Sequence, residues 1–297
     1  MDYLANIQRA IDTIESNLRQ PISLDQLARE AGFSFWHFQR VFAAVVGEPL
    51  GFYLRRRRLT VAAEELRTTR RRILDVALDY QFESHEAFTR AFQSVFHLNP
   101  GEVRHRRHFI EGQARPQLNR EKLRHLARQT AMKPVILRLP PFTLVGCEAR
   151  FISAMSPDAN NFKVIPPLWH TLTARRAELG QPLDKFSYGA CRCLPEKLRS
   201  RDDEMVYLAG INLKPKARVP AGMARWKIPA LTYARFTHRG PITQLSETIN
   251  YIYGAWMPRS DYQRDEEGPE LERYDDRFRD GGKDCELDYL VPIIPQQ

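Results

Sequence analysis

The sequence is poor in cysteine and has no long apolar segment. Its 297 residues include four cysteines, which are too few and too scattered for a disulfide framework, so we expect a reducing, cytoplasmic setting. No apolar run approaches the roughly 20 residues that cross a bilayer. The opening stretch, MDYLANIQRAID, is acidic and amphipathic, unlike a secretory signal. We therefore expect neither a membrane protein nor a secreted, disulfide-rich one.

The spacing of cysteine and histidine gives little support for a metal site. Cys191 and Cys193 could form half of such a site, but no second Cys/His pair stands at the spacing that zinc sites use. The alternation from Tyr188 to Cys193 is instead typical of a strand whose small thiols face inward. We predict no metal and no other cofactor.

Lysine is missing from the first part of the chain. The first lysine is Lys122, so every earlier cation is an arginine. The formal net charge is +9, and the basic excess lies before Lys133. Arginine binds phosphate and guanine edges with a planar fork, so this distribution favours a nucleic-acid partner. The densest run is Arg55 to Arg58, where we expect at least two of the four side chains to be solvated on a helix surface.

The first 110 residues predict helices joined by short turns. Apolar residues recur at three- and four-residue spacing, Ser23, Ser34 and Ser84 stand at helix starts, and Gly32 and Gly47 at helix ends. The stretches SFWHFQRVF and SHEAFTRAF share the skeleton S-x-x-x-F-x-R-x-F at a distance of 50 positions. A two-helix unit is therefore present twice, which predicts two helix-turn-helix units.

The second helix of each unit carries a face that fits a DNA groove. In the first unit Trp36, Gln39 and Arg40 share this face, which must be accessible for contact. Arginine can bond guanine, glutamine can bond adenine, and an apolar ring can contact a thymine methyl group. The alternative is an ordinary surface helix whose tryptophan packs on a neighbour. The equivalent face of the second unit carries Glu86, Thr89, Arg90 and Gln93, with His85 at the start of the helix. We predict DNA contacts from His85, Glu86, Thr89 and Arg90.

The second unit is either differently specific from the first or weaker, and we expect weaker binding or contacts mainly with the phosphate backbone of the DNA. The carboxylate of Glu86 repels phosphates, although it can accept from cytosine N4. Between the units, a helix over residues 49–68 would be about 30 Å long at about 1.5 Å per residue, close to the roughly 34 Å of one duplex turn. We therefore predict that one chain binds an asymmetric double-stranded site as a monomer.

From residue 134 the pattern changes to β-type alternation with more prolines. The stretches LPPFTLVGCEARF and IPALTYARFTHRG resemble each other, and a helical stretch (residues 167–179 and 242–256) and two strands follow each. Residues 111–133 are polar, basic and Gln-rich, as in a linker. We predict an all-α double helix-turn-helix domain over residues 1–110 and an α+β domain over residues 134–297. The latter has two pseudo-twofold strand-helix-strand-strand repeats with a cleft between them.

The first third of the chain resembles the DNA-binding domain of the AraC/XylS family, most closely its Rob/MarA/SoxS branch. The resemblance implies base contacts from Trp36, Gln39 and Arg40 in one groove and from the second helix face in the next. The matching positions are Gly47, Pro49, Tyr53, Arg58, Leu59, Ile73, Ala77, Phe88, Phe92, Phe96, Pro100 and Arg104.

The departures from this family all lie in the second unit. Glycine is usual where Gln81 and His97 stand, tyrosine is usual where Val103 stands, and a Gln-Gln pair is frequent where this chain has His85-Glu86. These differences concern the base preference of the second unit and not the fold.

Most of residues 134–297 resemble the GyrI-like effector-binding domain. The resemblance rests on proline-entry strands, on Glu272-Arg273-Tyr274 and on the segment ELDYLVP at residues 286–292. In relatives an acidic residue matching Glu272 lies among aromatic residues and binds cationic or amphipathic ligands, which suits ion pairing and cation–π attraction. The predicted effector site consists of Glu272, Trp169, Trp256, Tyr274 and Tyr289. Alternatively, the tryptophans belong to the core and Glu272 faces solvent or pairs with an arginine.

Functions from three classes stay open for the second half. The first is a small-molecule sensor in a bacterial transcription regulator of a multidrug or stress response, which acts at the nucleoid with RNA polymerase. The second is a hydrolase of small electrophiles that uses Glu272 and Tyr274. The third is a surface for another protein, such as RNA polymerase. An enclosed aromatic pocket at Glu272 would favour the sensor or the enzyme, and we predict the sensor and no enzyme.

Overall fold

The structure is a computed structural model that describes residues 3–105, 132–201, 203–279 and 285–296. The chain divides into two compact units, residues 1–120 and 121–297. Of the predicted linker, residues 111–131 lie outside the described residues. Of the helix predicted to begin at Asn99-Pro100, a 3-10 turn over Glu102–His105 is described.

The described part of the first unit is helical, as the sequence predicts. Two helix-turn-helix units, α2–α3 and α5–α6, are joined by the long helix α4. The helices are α1 (Tyr3–Ser16), α2 (Leu24–Glu30), α3 (Phe35–Val46), α4 (Leu50–Thr68), α5 (Ile73–Asp79) and α6 (His85–Phe96).

Serine caps set the start of three of these helices. The side chains of Ser23, Ser34 and Ser84 each accept a hydrogen bond from the backbone N–H three residues on, at 3.1–3.3 Å. Each bond satisfies one of the N–H groups that a helix start leaves without a partner. At the other end, Gly32 and Gly47 have φ values of 78° and 90°, the left-handed region that glycine enters without strain.

The four-arginine run on α4 is part of the packing, which corrects the prediction that at least two of its side chains are solvated. All four residues are half-buried. Arg57 makes two 2.8 Å hydrogen bonds to the Glu15 carboxylate, Arg56 pairs with Glu48, and Arg58 donates to two backbone carbonyls that follow α1. Successive side chains on a helix point in different directions around its axis. Part of the arginine run therefore faces hydrogen-bond acceptors in the segments that precede α4.

A single curved sheet forms the frame of the second unit. Its strands follow the order β1-β6-β9-β8-β3-β4-β2-β5, with β7 paired to the end of β9, and every pair is antiparallel. The strands are β1 (Val135–Leu139), β2 (Phe142–Ile152), β3 (Ser187–Cys193), β4 (Glu204–Leu213), β5 (Ala224–Ile228), β6 (Leu231–Arg239), β7 (Tyr262–Arg264), β8 (Glu270–Tyr274) and β9 (Glu286–Pro295).

The two sequence repeats interlock. The predicted pattern of strand, helix, strand and strand is present, but each repeat begins one short strand earlier, with β1 or β5. The first strand of each repeat pairs with the other repeat, β1 with β6 and β5 with β2. Between these short strands and the next stand Pro140, Pro141 and Pro229, which lack the N–H of a ladder bond. The β3–β8 pairing also makes the sheet continuous between the halves.

Two helices accompany the sheet, and the first differs from its predicted bounds. Helix α7 runs over Asn161–Ala174, not residues 167–179, and contains Pro166 and Pro167. The carbonyls that these prolines leave without a donor lie four residues earlier, at the exposed Phe162 and Lys163, where water can serve them. Helix α8 (Leu245–Tyr251) continues into a π-helical turn over Ile252–Trp256.

Alternation along the strands divides the sheet into two faces. One face carries a core cluster drawn from strands near both ends of the sheet, including Leu144, Leu208, Trp226, Leu271 and Leu290. Side chains alternate between faces, so the residues on either side of Leu271 point to the opposite face. That face carries the predicted effector carboxylate.

Candidate DNA interface and effector site

The predicted reading face of α3 lies in the interior of this structure. Trp36 is 4% exposed and Gln39 is 2% exposed, although the sequence predicted an accessible face. Arg40 is half-buried, with its guanidinium carbon 4.2 Å from the centroid of the Trp36 ring, the geometry of a cation–π contact. Another face of α3 belongs to the core, since Phe38 and Phe42 are fully buried.

Helix α3 is enclosed almost all round. Eleven of its twelve residues are buried, so contact between its reading face and bases requires that face to become accessible first. The alternative of a tryptophan packed on a neighbouring side chain describes Trp36 as it stands, because its ring carries the Arg40 guanidinium. The DNA-contact roles of these residues stay predictions.

Helix α6 differs from α3 in its exposure. Three of its twelve residues are buried, and its apolar face packs through Phe88, whose ring centroid lies 5.1 Å from that of Phe82 and 5.5 Å from that of Phe92. Thr89 is half-buried. The exposed members of the predicted reading face are His85, Glu86 and Arg90.

The exposed face of α6 carries a carboxylate that is stabilised as an anion. The pKa of Glu86 lies below its usual value because the side chain accepts hydrogen bonds from its own backbone N–H and from Ser84, with the charges of His85 and Arg90 adding to the effect. An acid in the first turn of a helix is also favoured by the helix dipole. Near neutral pH this face therefore presents a negative charge among its cations.

Two positions where glycine is usual adopt left-handed backbone conformations. Gln81 has φ 66° and His97 has φ 56°, at the turn of the second unit and at the C-cap of α6. The corresponding positions of the first unit are the glycines Gly32 and Gly47, with the same backbone sense. The second unit therefore has the same left-handed backbone at these two positions, but with residues other than glycine, for which that conformation is strained.

The predicted effector carboxylate is held by two phenols. Glu272 Oε2 accepts hydrogen bonds from the Tyr207 hydroxyl at 2.6 Å and from the Tyr274 hydroxyl at 2.7 Å. Trp169 Nε1 donates to the Tyr207 oxygen at 3.1 Å. Burial, and then the charge of Glu272, raise the pKa of both tyrosines well above the usual value, so both phenols stay protonated donors.

A glycine makes room for this cluster. Gly189 on β3 lies opposite Glu272 in the β3–β8 ladder. A Cβ atom there would lie 1.9 Å from the Tyr207 hydroxyl and 2.6 Å from Glu272 Oε2. Any other residue would therefore displace the phenol from the carboxylate. Neither Gly189 nor Tyr207 was among the predicted site residues, and the strand register would have been needed to identify them.

Aromatic rings extend from the carboxylate. The rings of Trp169 and Tyr274 meet edge to face with centroids 4.9 Å apart, and Phe278 meets Tyr274 at 4.7 Å. At the start of the same helix as Trp169, Phe162 is 73% exposed. The structure thus brings Trp169 and Tyr274 of the predicted set to Glu272 and joins an apolar surface to a carboxylate.

Tyr289 belongs to a second carboxylate cluster. It lies opposite Glu272 in the β8–β9 ladder, but its hydroxyl donates to Glu270 Oε2. The hydroxyl of Tyr253, from the π-helical turn, donates to the other oxygen of Glu270.

Trp256 also lies with partners other than Glu272. Its ring meets that of Phe236 edge to face at 5.1 Å and lies nearly parallel to that of Tyr262 at 6.3 Å. The predicted aromatic residues therefore do not form one wall, since Trp169 and Tyr274 lie at Glu272 whereas Tyr289 and Trp256 have other partners. These contacts of Trp256 are those of packing between the π-helical turn and the sheet, as in the alternative that the sequence left open.

The described residues set limits on other kinds of site. In these parts of the chain, no helix is long and apolar enough to cross a membrane. Within the same ranges, no group of three or more His, Cys, Asp and Glu residues is placed to hold a metal ion. The described cysteines are free thiols, and burial raises the pKa of Cys193 to about 11, which keeps that thiol protonated.

The sequence matches two protein families. Residues 132–294, more than half of the chain, match the family described as GyrI-like small molecule binding domain. Residues 27–106 match a helix-turn-helix domain family. The first match contains the Glu272 cluster, and the second contains both predicted DNA-reading helices.

Curated relatives combine these two matches along one chain. Transcriptional regulator Rob of Salmonella typhimurium is 29% identical over 302 residues, with 99% of both chains covered. Right origin-binding protein of Escherichia coli is 28% identical over 298 residues, again with 99% of both covered. Regulatory protein SoxS of Salmonella typhimurium is 42% identical over 106 residues, which are 36% of this chain and 99% of SoxS.

Proposed function

We propose a ligand class and a ligand site for this chain, which belongs to the GyrI-like family. The chain joins that domain to an AraC-type helix-turn-helix region. Its effector is a cationic or amphipathic molecule bound at Glu272. The chain is a DNA-binding transcription regulator with a C-terminal domain that binds small molecules.

The observation that carries this proposal is the carboxylate between two phenols. Glu272 is half-buried, and Tyr207 and Tyr274 donate to one of its oxygens. Hydrogen bonds of this kind stabilise the ionised form of a carboxylate. A fixed negative charge beside aromatic rings attracts an organic cation through ion pairing and through the negative faces of the rings.

The aromatic surroundings favour a ligand with apolar substituents. The rings of Trp169, Tyr274 and Phe278 follow one another from the carboxylate, and Phe162 on the same helix as Trp169 presents an exposed ring. Apolar ligand groups would gain about 25 cal/mol for each Å² removed from water. A lipophilic monocation therefore suits the cluster better than a metal ion or a small polar amine.

The same contacts argue against the hydrolase. A general base must give up its stabilisation as an anion when it takes a proton, and two phenol donors already stabilise Glu272 in that form. We therefore propose that the domain binds its ligand without converting it. Incubating a small electrophilic ester with the protein should yield no product above the rate seen with Glu272→Gln.

A titration of tetraphenylphosphonium, followed by the quenching of tryptophan fluorescence, tests the effector site. Glu272→Gln should weaken binding about tenfold or more, which corresponds to roughly 1.4 kcal/mol. Glu267→Gln, at an exposed position on the same domain, is the matched control and should leave the affinity unchanged. Equal affinities for Glu272→Gln and the natural chain would remove Glu272 from the site.

On DNA, we propose that a single chain uses both reading helices on one asymmetric site. The predicted base contacts come from Trp36, Gln39 and Arg40 in the first unit and from the face of α6 in the second. Since Trp36 and Gln39 are buried in this structure, binding must expose the α3 face. Quenching of tryptophan fluorescence by acrylamide, with Trp36 as the only tryptophan, would reveal a change in that exposure when DNA is added.

We propose that the regulator acts in the cytoplasm at the nucleoid, where RNA polymerase is its protein partner. Support comes from the combination of a DNA-binding unit with a sensor unit in full-length relatives that are regulators. Retention of the polymerase by the chain on promoter DNA, compared with the same DNA without the chain, is the direct test. Retention that does not depend on the chain would refute the partnership.

A further inference from the structure

The second carboxylate cluster has the same donor set as the first. Glu270 is two residues before Glu272 on β8 and points to the same face. Tyr253 donates to one oxygen of Glu270 and Tyr289 to the other. Each carboxylate on this face of β8 is therefore held by two phenols.

A guanidinium from the chain itself lies against Glu270. Arg264 Nε is 3.6 Å from Glu270 Oε1, and the two side chains are 4% and 1% exposed. The remaining nitrogens of Arg264 pair with Glu266 and donate to the backbone carbonyl of Gly268 at 3.2 Å. The buried carboxylate thus has a buried organic cation beside it.

The local backbone explains why Arg264 reaches this position. Arg264 ends β7, opposite Ile293 in the ladder with β9, and the chain then turns back into β8. At Gly268 in this turn, a Cβ atom would lie 2.3 Å from a methyl group of Leu231, so the turn is tight. The turn brings the guanidinium back beside the first residue of β8.

The charges around Arg264 overcome its burial. Burial lowers the pKa of the guanidinium, but the carboxylates of Glu266 and Glu270 raise it above its usual value. A cavity of about 150 Å³ adjoins Arg264 and is also lined by Cys193 and Trp226. The cation is therefore held firmly in its site, and a space that small molecules can occupy lies beside it.

We propose that the Glu270 cluster is a second organic-cation site of this domain, filled by the protein's own Arg264, so that the natural chain takes up one external cation, at Glu272. Shortening Arg264 would leave a site that accepts an alkylguanidinium. The inference rests on the proposed function only in taking the Glu272 cluster as a cation site. The ligand class follows from the geometry, since a planar guanidinium is what the carboxylate, Glu266 and the Gly268 carbonyl already hold.

Chemical rescue of Arg264→Ala with ethylguanidinium tests this proposal in the full chain. Thermal unfolding followed by circular dichroism should show a lower midpoint for the variant and a saturable rise of about 2–4 °C when ethylguanidinium is added. N-ethylurea, which is neutral and of similar shape, should have no such effect. The natural chain should show no comparable rise with either compound, because Arg264 fills this site and the aromatic Glu272 cluster suits lipophilic cations better than a small polar one.

Two further variants distinguish binding at the Glu270 cluster from a general stabilising effect of the added cation. Arg264→Ala combined with Glu270→Gln lacks the anion and should not be rescued. Arg277→Ala shortens an arginine that is 41% exposed and should not be rescued either. Rescue of either variant to the same extent as Arg264→Ala, or no rescue of Arg264→Ala, would overturn the proposal. If Arg264→Ala is unfolded at room temperature, ethylguanidinium should restore its folded fraction, and failure to do so has the same meaning.

A separate measurement distinguishes this inference from the proposed function. Tetraphenylphosphonium should bind the natural chain once and should lose affinity in Glu272→Gln. Absence of that binding would refute the proposed effector class, whereas the rescue experiment reports on Arg264 and Glu270 alone. Binding of tetraphenylphosphonium at two equivalent sites in the natural chain would refute the inference that Arg264 fills the second site.

Discussion

The two helix-turn-helix units share a backbone plan and differ in the chemistry placed on it. Both begin their second helix with a serine cap and end it in a left-handed conformation. The first unit has glycine at both left-handed positions, whereas the second has Gln81 and His97 there. The two units therefore share their backbone plan but differ in the residues at the left-handed positions and in the exposure of the second helix.

Exposure is the second difference. The predicted reading face of α3 is buried and that of α6 is largely exposed, with Glu86 as an anion on it. In this structure Trp36 and Gln39, whose side chains suit base contacts, are buried, whereas the α6 face that carries the anion Glu86 is largely accessible. We therefore expect the first unit to make sequence-specific DNA contacts only after its face becomes exposed. The second unit should add more to DNA affinity than to sequence specificity.

The largest effect is expected from the half-buried cluster of Glu15, Tyr53 and Arg57 beside the first unit. Glu15 accepts from Arg57 and, at 2.7 Å, from the Tyr53 hydroxyl. Glu15→Gln should lower the free energy of unfolding by about 2–3 kcal/mol, since it leaves a largely covered cation with a weaker partner. Denaturant unfolding measures this change. Glu64→Gln, at an exposed pair, is the control.

The same cluster predicts a pH dependence. Burial raises the pKa of Glu15, but hydrogen bonds from Arg57 and Tyr53 lower it more, so the folded value lies below the ordinary 4.5. The stabilisation is therefore complete above that ordinary value and is lost as the pH falls through the folded value. When the free energy of unfolding is plotted against pH, Glu15→Gln should lack this loss at acid pH. The same acid-pH loss in the variant and in the natural chain would contradict the role given to Glu15.

The next largest effect concerns the two arginines at equivalent positions. Arg40→Ala should cost about 1–3 kcal/mol on a specific DNA site and relax its sequence preference, whereas Arg90→Ala should cost less and affect all sequences alike. Fluorescence anisotropy with specific and random duplexes measures both. An equal loss on both duplexes for Arg40→Ala would identify Arg40 as a phosphate contact.

A smaller effect is expected at the left-handed positions. His97→Gly should raise the free energy of unfolding by about 0.5–1 kcal/mol, because relief of a strain of about 1–2 kcal/mol exceeds the entropy cost of glycine. The reverse change in the first unit, Gly47→Ala, should lower it by about 1 kcal/mol. A gain from His97→Gly no larger than zero would show that the surroundings of His97 already offset the strain.

The smallest effect is expected at Glu86. Glu86→Gln removes an anion from the exposed face of α6 and should tighten DNA binding by about twofold at low salt, with the gain fading as salt screens the charge. Titrations at two ionic strengths measure the change. Weaker binding by the variant to sites with cytosine at one position would show that Glu86 reads that base instead.

Sequence reasoning located most of the framework. The serine caps, the repeated helices and the repeated strands follow from local chemistry, since a cap or an alternating strand is specified by neighbouring residues. Glu272 was found with Trp169 and Tyr274 through the family resemblance. The short strands β1 and β5 were missed because they pair with the other repeat, which local patterns do not report.

The remaining differences depend on contacts distant in sequence. Tyr207 and Gly189 lie at the Glu272 cluster because of the register of β4, β3 and β8, whereas Tyr289 donates its hydroxyl to Glu270. Similarly, Arg57 reads as a surface charge until Glu15 is seen beside it. The burial of the α3 face also depends on contacts distant in sequence. Amphipathic spacing identifies a second, more polar face of the helix but does not predict what packs against it.

We propose that one subunit places both helical units in consecutive grooves of a single duplex. Hydroxyl-radical footprinting on the preferred site, with the number of chains per duplex measured in the same solution, distinguishes this arrangement from binding by two chains. We expect one chain that protects two segments about one helical turn apart, with Arg40→Ala removing protection mainly from one of them. A symmetric site bound by two chains, or protection of a single groove by one chain, would rule this arrangement out.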